Sequence, residues 1–244
     1  MSVEIVNNLT DLGYKYFFEK LFNPSVSYNQ MFYSNASTLL KLRLYRPNTS
    51  YIESSSEIIE ISDDGIKITY KFNILPSNGI TVSSIKLVDT SGNIIMEINS
   101  LDITRLIQNG NYNELNEIIL KFSLEQVTLC IPNDSKQLIY KSLTNQNNYK
   151  LDTIYLGTGE PVLDGSSSVL TNLRYSLLVS DYKIKGKELS ISEDVTAAQD
   201  ITEVGLGYSI NDEDYICYFL QSANLQLSTA SSIGSMIYYK LVMS

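Results

Sequence analysis

The chain has 244 residues, a formal net charge of −9 and a pI near 4.6, which excludes a protein that grips nucleic-acid phosphates through a basic face. Hydrophobic residues make up 43% and charged residues 18%, enough apolar surface to build one large domain or two of ordinary size. There is no His, and its absence removes Ser-His-Asp and Cys-His catalysis together with His-ligated metal sites.

In chain order, the start Met1-Ser2-Val3-Glu4-Ile5 is acidic and does not read as a signal peptide. Leu12, Tyr16, Phe17 and Leu21 then fall at helical spacing over residues 9–22, with Thr10 or Asp11 as N-cap and Asn23-Pro24 as the stop. Leu40, Leu42 and Leu44 alternate like a half-buried strand. From Glu57 the strand signal strengthens. Ile58 to Ile61 meets the turn Ser62-Asp63-Asp64-Gly65, and Ile66, Ile68, Tyr70 and Phe72 alternate beyond it, a hairpin pattern. Pro76 to Gly79 predicts a turn, Ile80 to Val88 a strand, Asp89 to Asn93 a second turn, and Ile94 to Ile98 the returning strand. A short helix is expected over Leu101 to Gln108, capped by Ser100 and stopped by Gly110. Ile118, Leu120, Phe122 and Leu124 alternate again and close the first half.

The second half opens with a helical pattern over 136–146. Leu151 to Leu156 reads as a strand running into Gly157-Thr158-Gly159-Glu160-Pro161. After the polar stretch 164–168, residues 175–179 alternate, and Lys185-Gly186-Lys187 turns the chain into Leu189-Ser190-Ile191. Ile201-Thr202-Glu203-Val204-Gly205-Leu206 and Tyr215 to Leu220 flank the polar loop 211–214 as a second hairpin. Gly205 inside its first strand signals a bulge or a close backbone approach. A small-residue loop is expected over Ala223 to Ser235, and a last strand over Met236 to Met243. The order of elements in the two halves repeats. Ile85-Lys86-Leu87 echoes Val204-Gly205-Leu206, and Ile118 to Leu124 echoes Ile237 to Met243.

Nowhere do about 18 apolar residues run together, so no membrane-spanning helix and no membrane insertion is expected. Cys130 and Cys217 lack metal-ligand spacing and sit among apolar neighbours, as buried free thiols do. Gly157-Thr158-Gly159 lacks the ending of a phosphate loop and reads as a turn leaving a strand. Asn211, Asp212 and Asp214 offer oxygen ligands of the kind Ca²⁺ accepts, but without EF-hand spacing they read as a solvated hairpin turn. No metal, cofactor or catalytic constellation is expected. Tyr215, Tyr218, Tyr238 and Tyr239 are expected to divide between core and sheet face instead of forming one ligand site.

The order Ile154-Tyr155-Leu156-Gly157-Thr158-Gly159, then Leu170 with Leu173-Arg174, then Ile201 to Leu206, resembles the N-terminal region of bacteriophage tail-fibre and baseplate attachment proteins. The resemblance spans residues 136–220, with a looser copy around Leu9-Thr10-Asp11-Leu12-Gly13. It implies a non-enzymatic virion protein of the tail, assembled in the host bacterial cytoplasm and working in many symmetric copies against other tail proteins. The long shaft and tip of a fibre are missing, which favours a baseplate, connector or attachment piece. A carbohydrate- or receptor-binding module is the alternative reading, and a glycan hydrolase using two carboxylates is a further one. The expected fold is mainly β, with two β-sandwich-like modules and short flanking helices. Its expected domains are residues 1–127 and 128–244, and contact is expected through Gly157, Gly159, Asn211, Asp212 and Asp214.

Overall fold

A computed structural model describes residues 3–6, 9–23, 40–54, 56–62, 65–72, 82–99, 117–122, 124, 130–144, 146–195, 200–210, 215–226 and 235–242. The fold is mainly β, with antiparallel sheets and two short helices among the described residues. It divides into two compact units, Met1–Phe17 with Ser27–Ser123 and Phe18–Val26 with Leu124–Ser244.

In the first unit, β1 (Val3–Val6) pairs in parallel with β8 (Glu117–Phe122), and β5 (Gly65–Lys71) and β4 (Ser56–Ser62) complete the sheet β1-β8-β5-β4. The expected Asp-Gly hairpin joins β4 to β5, with Ser62 opposite Gly65. Ile66, Ile68, Tyr70 and Phe72 are all buried, as their alternation implies. A second sheet has the order β3-β2-β6-β7, from β2 (Lys41–Tyr45), β3 (Tyr51–Glu53), β6 (Ser84–Val88) and β7 (Ile94–Ile98). Leu42, Leu44, Ile85, Leu87 and Met96 bury one face of it. Helix α1 (Asp11–Phe22), of which residues 11–17 belong to this unit and 18–22 to the second, begins where Thr10 Oγ1 accepts the Gly13 N–H at 3.1 Å, so Thr10 is the N-cap. Its buried stripe runs through Tyr14, Phe17, Phe18 and Leu21. Leu12 and Tyr16, expected on that stripe, are half-buried, and the Tyr16 hydroxyl donates to Asp89 at 3.0 Å.

The second unit contains α2 (Asn133–Leu143) and two more sheets. One has the order β10-β9-β13-β14, from β9 (Thr153–Gly157), β10 (Leu173–Leu178), β13 (Asp200–Ser209) and β14 (Tyr215–Gln226). The other is β11-β12-β15, from β11 (Tyr182–Lys185), β12 (Glu188–Val195) and β15 (Ser235–Val242). Gly186, at φ +55°, supplies the left-handed residue that the two-residue turn between β11 and β12 needs.

The repeat expected from the order of elements is present as topology. Matching β2 to β9 and each following strand to its successor carries β3-β2-β6-β7 onto β10-β9-β13-β14, and β8-β5-β4 onto β15-β12-β11. The bulges coincide as well. Leu87 faces Met96 and Val88 faces Ile94, leaving Ile95 over; Leu206 faces Phe219 and Gly207 faces Cys217, leaving Tyr218 over. This register sets Ile85-Lys86-Leu87 on Val204-Gly205-Leu206, as the sequence echo has it. In both units a hydroxyl at the start of the helix docks on the matching bulge carbonyl. Thr10 Oγ1 donates to Ile94 O at 2.8 Å, and Ser135 Oγ to Cys217 O at 2.6 Å.

Several boundaries differ from the sequence reading. Of the strand expected from Ile80, residues 80–81 lie outside the described residues and β6 begins at Ser84, since its partner β2 ends opposite at Tyr45 and Ser83 donates to the Tyr45 carbonyl from outside the ladder. The helix expected at 136–146 runs from Asn133 to Leu143. Ala223, expected to open a loop, lies inside β14, because β13 starts at Asp200 and holds its partner in register to Gln226 across a bulge. The helix at 101–108, the turn at 76–79 and the loop at 211–214 lie outside the described residues.

Candidate functional site

Along β13, residues Glu203, Gly205 and Gly207 alternate onto one face of the sheet. An acidic side chain is rarely fully buried unless its oxygens are satisfied. Glu203 is buried completely. One carboxylate oxygen accepts the backbone N–H groups of Asn172 at 2.8 Å and Gly159 at 3.1 Å, and the other accepts that of Thr171 at 3.0 Å. Glu203 therefore grips both ends of the segment that joins β9 to β10.

Two glycines make room for this arrangement. Gly157 lies opposite Glu203 in the ladder, where a Cβ would strike the carboxylate oxygen and stand 2.6 Å from Glu203 Cγ. A Cβ at Gly159 would stand 2.7 Å from Thr171 Cβ and 2.8 Å from Glu203 Oε1. Further bonds tie the segment down. Thr202 Oγ1 donates to Gly159 O, Thr158 N–H to Asn172 O at 3.1 Å, and Asn172 Nδ2 to Thr158 Oγ1 at 2.8 Å. At its far end, Cys217 N–H donates to Ser168 O at 2.8 Å and Leu170 N–H to the Tyr215 hydroxyl at 3.1 Å.

Beneath the segment, Cys130, Tyr155, Leu170, Cys217 and Leu220 form a buried cluster, with Tyr215 stacked on Tyr155 at 4.4 Å between ring centres. Burial pushes Tyr155 and Tyr215 up to about 12, and burial with the nearby Glu203 carboxylate pushes the Cys217 thiol up further. Both cysteines are buried free thiols, as expected. Tyr218 and Tyr239 lie in the core while Tyr215 stays half-buried on this face, the division expected for these three tyrosines; the side chain of Tyr238 lies outside what is described.

The matching face of the first unit is finished differently. There β2 and β3 are joined by residues 46–50, and no loop like 158–172 crosses the face from that connection. The register places Arg43 at the position of Tyr155, Lys86 at Gly205, Glu97 at Leu220 and Glu53 at Ser176. Arg43 pairs with Glu53 at 2.9 Å and lies 4.4 Å from the Tyr51 ring, and Lys86 pairs with Glu97 at 2.7 Å. That Lys86 hydrogen bond holds Glu97 below the usual carboxylate range. One fold thus carries a partly wet, ion-paired face in one unit and a loop-covered face in the other.

Of the residues expected to make contacts, Gly157 and Gly159 converge on Glu203, and Asn211, Asp212 and Asp214 lie outside the described residues. Sequence reasoning missed Glu203 itself. Its signal was an acidic residue at an alternation position otherwise held by glycine, within a strand of apolar residues. No metal-ligand cluster occurs among the described residues, and no described helix is long and apolar enough to cross a membrane. No protein-family model, curated protein or solved structure matches the chain.

Proposed function

We propose that this chain is a structural component of a bacteriophage tail, a baseplate, connector or fibre-attachment piece that works by protein–protein contact. The observation that supports the reading is the Glu203-braced segment. It holds Val162, Leu163 and Val169 exposed at 37%, 44% and 43% on a backbone fixed from below. The segment leads into β10, the outer strand of its sheet among the described residues, where Leu178 is 75% exposed. A braced loop that presents three exposed apolar side chains beside a strand edge suits a stoichiometric interface, because little entropy is lost on docking and the edge offers backbone hydrogen bonds. The acidic surface then keeps free copies apart until a complementary neighbour is met.

The test is made in the particle. Mass spectrometry of purified tails should find the chain at a fixed stoichiometry, and electron cryo-microscopy should show more than about 1,000 Å² buried per copy. Leu163→Asp and Leu178→Asp should lower incorporation at least about tenfold while leaving the melting temperature of the free chain unchanged. Absence of the chain from purified tails, or normal incorporation of both variants, overturns the reading.

A further inference from the structure

Four strands end the two matching sheets, and three of them are protected against pairing with another chain. Along β7, Leu9 bridges to Met96 and the Thr10 N–H donates to the Ile95 carbonyl at 2.9 Å. Along β14, Cys130 and Leu220 exchange two backbone bonds of 2.7 Å, and the Cys217 N–H donates to Ser168 O. The strand β3, counterpart of β10, is only three residues long. Native sheets avoid joining edge to edge by such short or covered edges, or by placing Lys or Pro on them. None of these devices is present on β10. It is six residues long and reads Leu-Arg-Tyr-Ser-Leu-Leu. Beyond its ladder with β9, no described residue bonds to its backbone. Its bulge falls between Leu173 and Tyr175 and leaves Tyr175 to Leu178 regular. Its one charge, Arg174, turns back to Thr158, with Nε donating at 3.3 Å.

The register with β9 fixes which way the side chains of β10 face. Leu173, Ser176 and Leu178 stand opposite Gly157, Tyr155 and Thr153 on one face of the sheet. Tyr175 and Leu177 stand opposite Leu156 and Ile154 on the other. Residues directly opposite in an antiparallel pair share a face. A second β10 can therefore extend the sheet with Ser176 opposite Ser176, Tyr175 opposite Leu177, and Leu178 opposite the Leu173–Arg174 bulge. The last two pairings occur twice about a two-fold axis through the first, as an isologous contact requires. Leu178, at 75% the most exposed large hydrophobic among the described residues, then meets Leu173, at the rim of a cavity of about 270 Å³. No like charges stand opposite each other, and the Tyr–Leu pairs are of the kind that stabilise a ladder. The strand complements itself, and this favours a copy of the chain over an unrelated segment as the occupant of the edge.

We infer that β10 pairs antiparallel with β10 of a second copy about a two-fold axis at Ser176, joining two sheets into one. The inference rests on the assembly reading and names the neighbour at this edge. The net charge of −9 on each copy opposes the pairing, so it tightens as salt screens the repulsion. Sedimentation equilibrium of the free chain from about 5 to 500 µM should show monomer and dimer, with a Kd on the order of 100 µM in roughly 50 mM NaCl and at least about threefold lower in roughly 500 mM. Ser176→Lys and Ser176→Glu, at an exposed strand position, set like charges against each other on the axis. Each alone should weaken the dimer at least about fivefold with an unchanged melting temperature. Mixed one to one, the two variants should pair again, Lys against Glu, a rescue that a damaged fold would not give. The inference is overturned if the parent stays monomeric at about 500 µM in high salt, if either variant alone dimerises like the parent, or if the mixture does not pair. A monomeric free chain that is nonetheless present in purified tails removes this inference and leaves the assembly reading standing. A dimeric chain absent from tails does the reverse.

Discussion

Replacing Glu203 by Gln removes one carboxylate oxygen and substitutes an NH₂ group of the same size. The side chain stays buried and the backbone path is unchanged, so the effect isolates the charge-assisted hydrogen bonds. Three N–H groups converge on the carboxylate, two on one oxygen and one on the other. A hydrogen bond to a charged group contributes about 1.5–3 kcal/mol, and a buried donor left unpaired loses about 1–3 kcal/mol. Gln can still accept with its carbonyl oxygen, best placed where two bonds are kept. Its NH₂ then faces the Thr171 N–H, donor against donor. One bond is lost and two are weakened, which gives a loss of roughly 2–4 kcal/mol. At this chain length that should lower Tm by about 5–15 °C. Urea denaturation measures the free energy, and hydrogen exchange should show the Gly159, Thr171 and Asn172 amides losing protection ahead of the strands. A Gln variant within about 0.5 kcal/mol of the parent, the ordinary range for surface changes, with those amides still protected, would refute the bracing argument.

Other outcomes follow from the same packing. Gly205→Val should destabilise by roughly 1–3 kcal/mol through overpacking, since its Cβ would strike Cys217 Sγ and stand 3.3 Å from Leu220 Cδ2; chemical denaturation measures it. Gly207→Ala should cost more than Gly205→Ala in the same assay, because its Cβ meets the Ile216 carbonyl and stands 2.7 Å from Cys217 Cα, backbone atoms that cannot rotate away. Burial lowers enclosed Lys20 from 10.5 to about 8. Between those values the unfolded chain holds a proton that the folded chain has released, so stability should rise with pH over that window. Lys20→Met should abolish the rise and stabilise the protein at pH 7 by at most about 3 kcal/mol. Above pH 10 the sign reverses. Tyr155, Tyr208 and Tyr215, raised from 10.0 to about 12, keep protons in the folded state that the unfolded state has lost, so stability falls.

Much of the fold was legible because alternation and turn chemistry act locally. Ile66, Ile68, Tyr70 and Phe72 announced a buried strand face, and Gly186 and Gly65 marked tight hairpin turns. Short strands such as Tyr51–Glu53 escaped, since three residues hold too little of a period-two pattern and owe their state to pairing with β2. The site was legible only in part. Gly157, Gly159 and Gly205 stood out as glycines in or beside strands, yet what they make room for comes from elsewhere in the chain. Glu203 is 44 residues from Gly159, and only the pairing of β9 with β13 brings them together. A buried acid looks the same in sequence as an exposed one until its donors are located.

The two units show how one topology can be given different surfaces. A sheet with one buried face leaves the other to be solvated or covered, and the connection after its second strand decides which. With residues 46–50 as the connection, the first unit leaves the face to Arg43, Lys86, Glu53 and Glu97, whose ion pairs at this exposure contribute little to stability and much to solubility. With 158–172 as the connection, the second unit covers part of the face, and Lys86 and Glu97 give way to Gly205 and Leu220 under the lid. A long loop has an entropic cost and would stay mobile unless something held it. Glu203 provides the hold from inside the sheet, at a position where the first unit has only Ser84. Thr202 and Glu203 of the Ile201–Leu206 stretch therefore reach into the covering loop, while Gly205 makes space beneath it. This joins the strand to the loop-borne surface on which the proposed function rests.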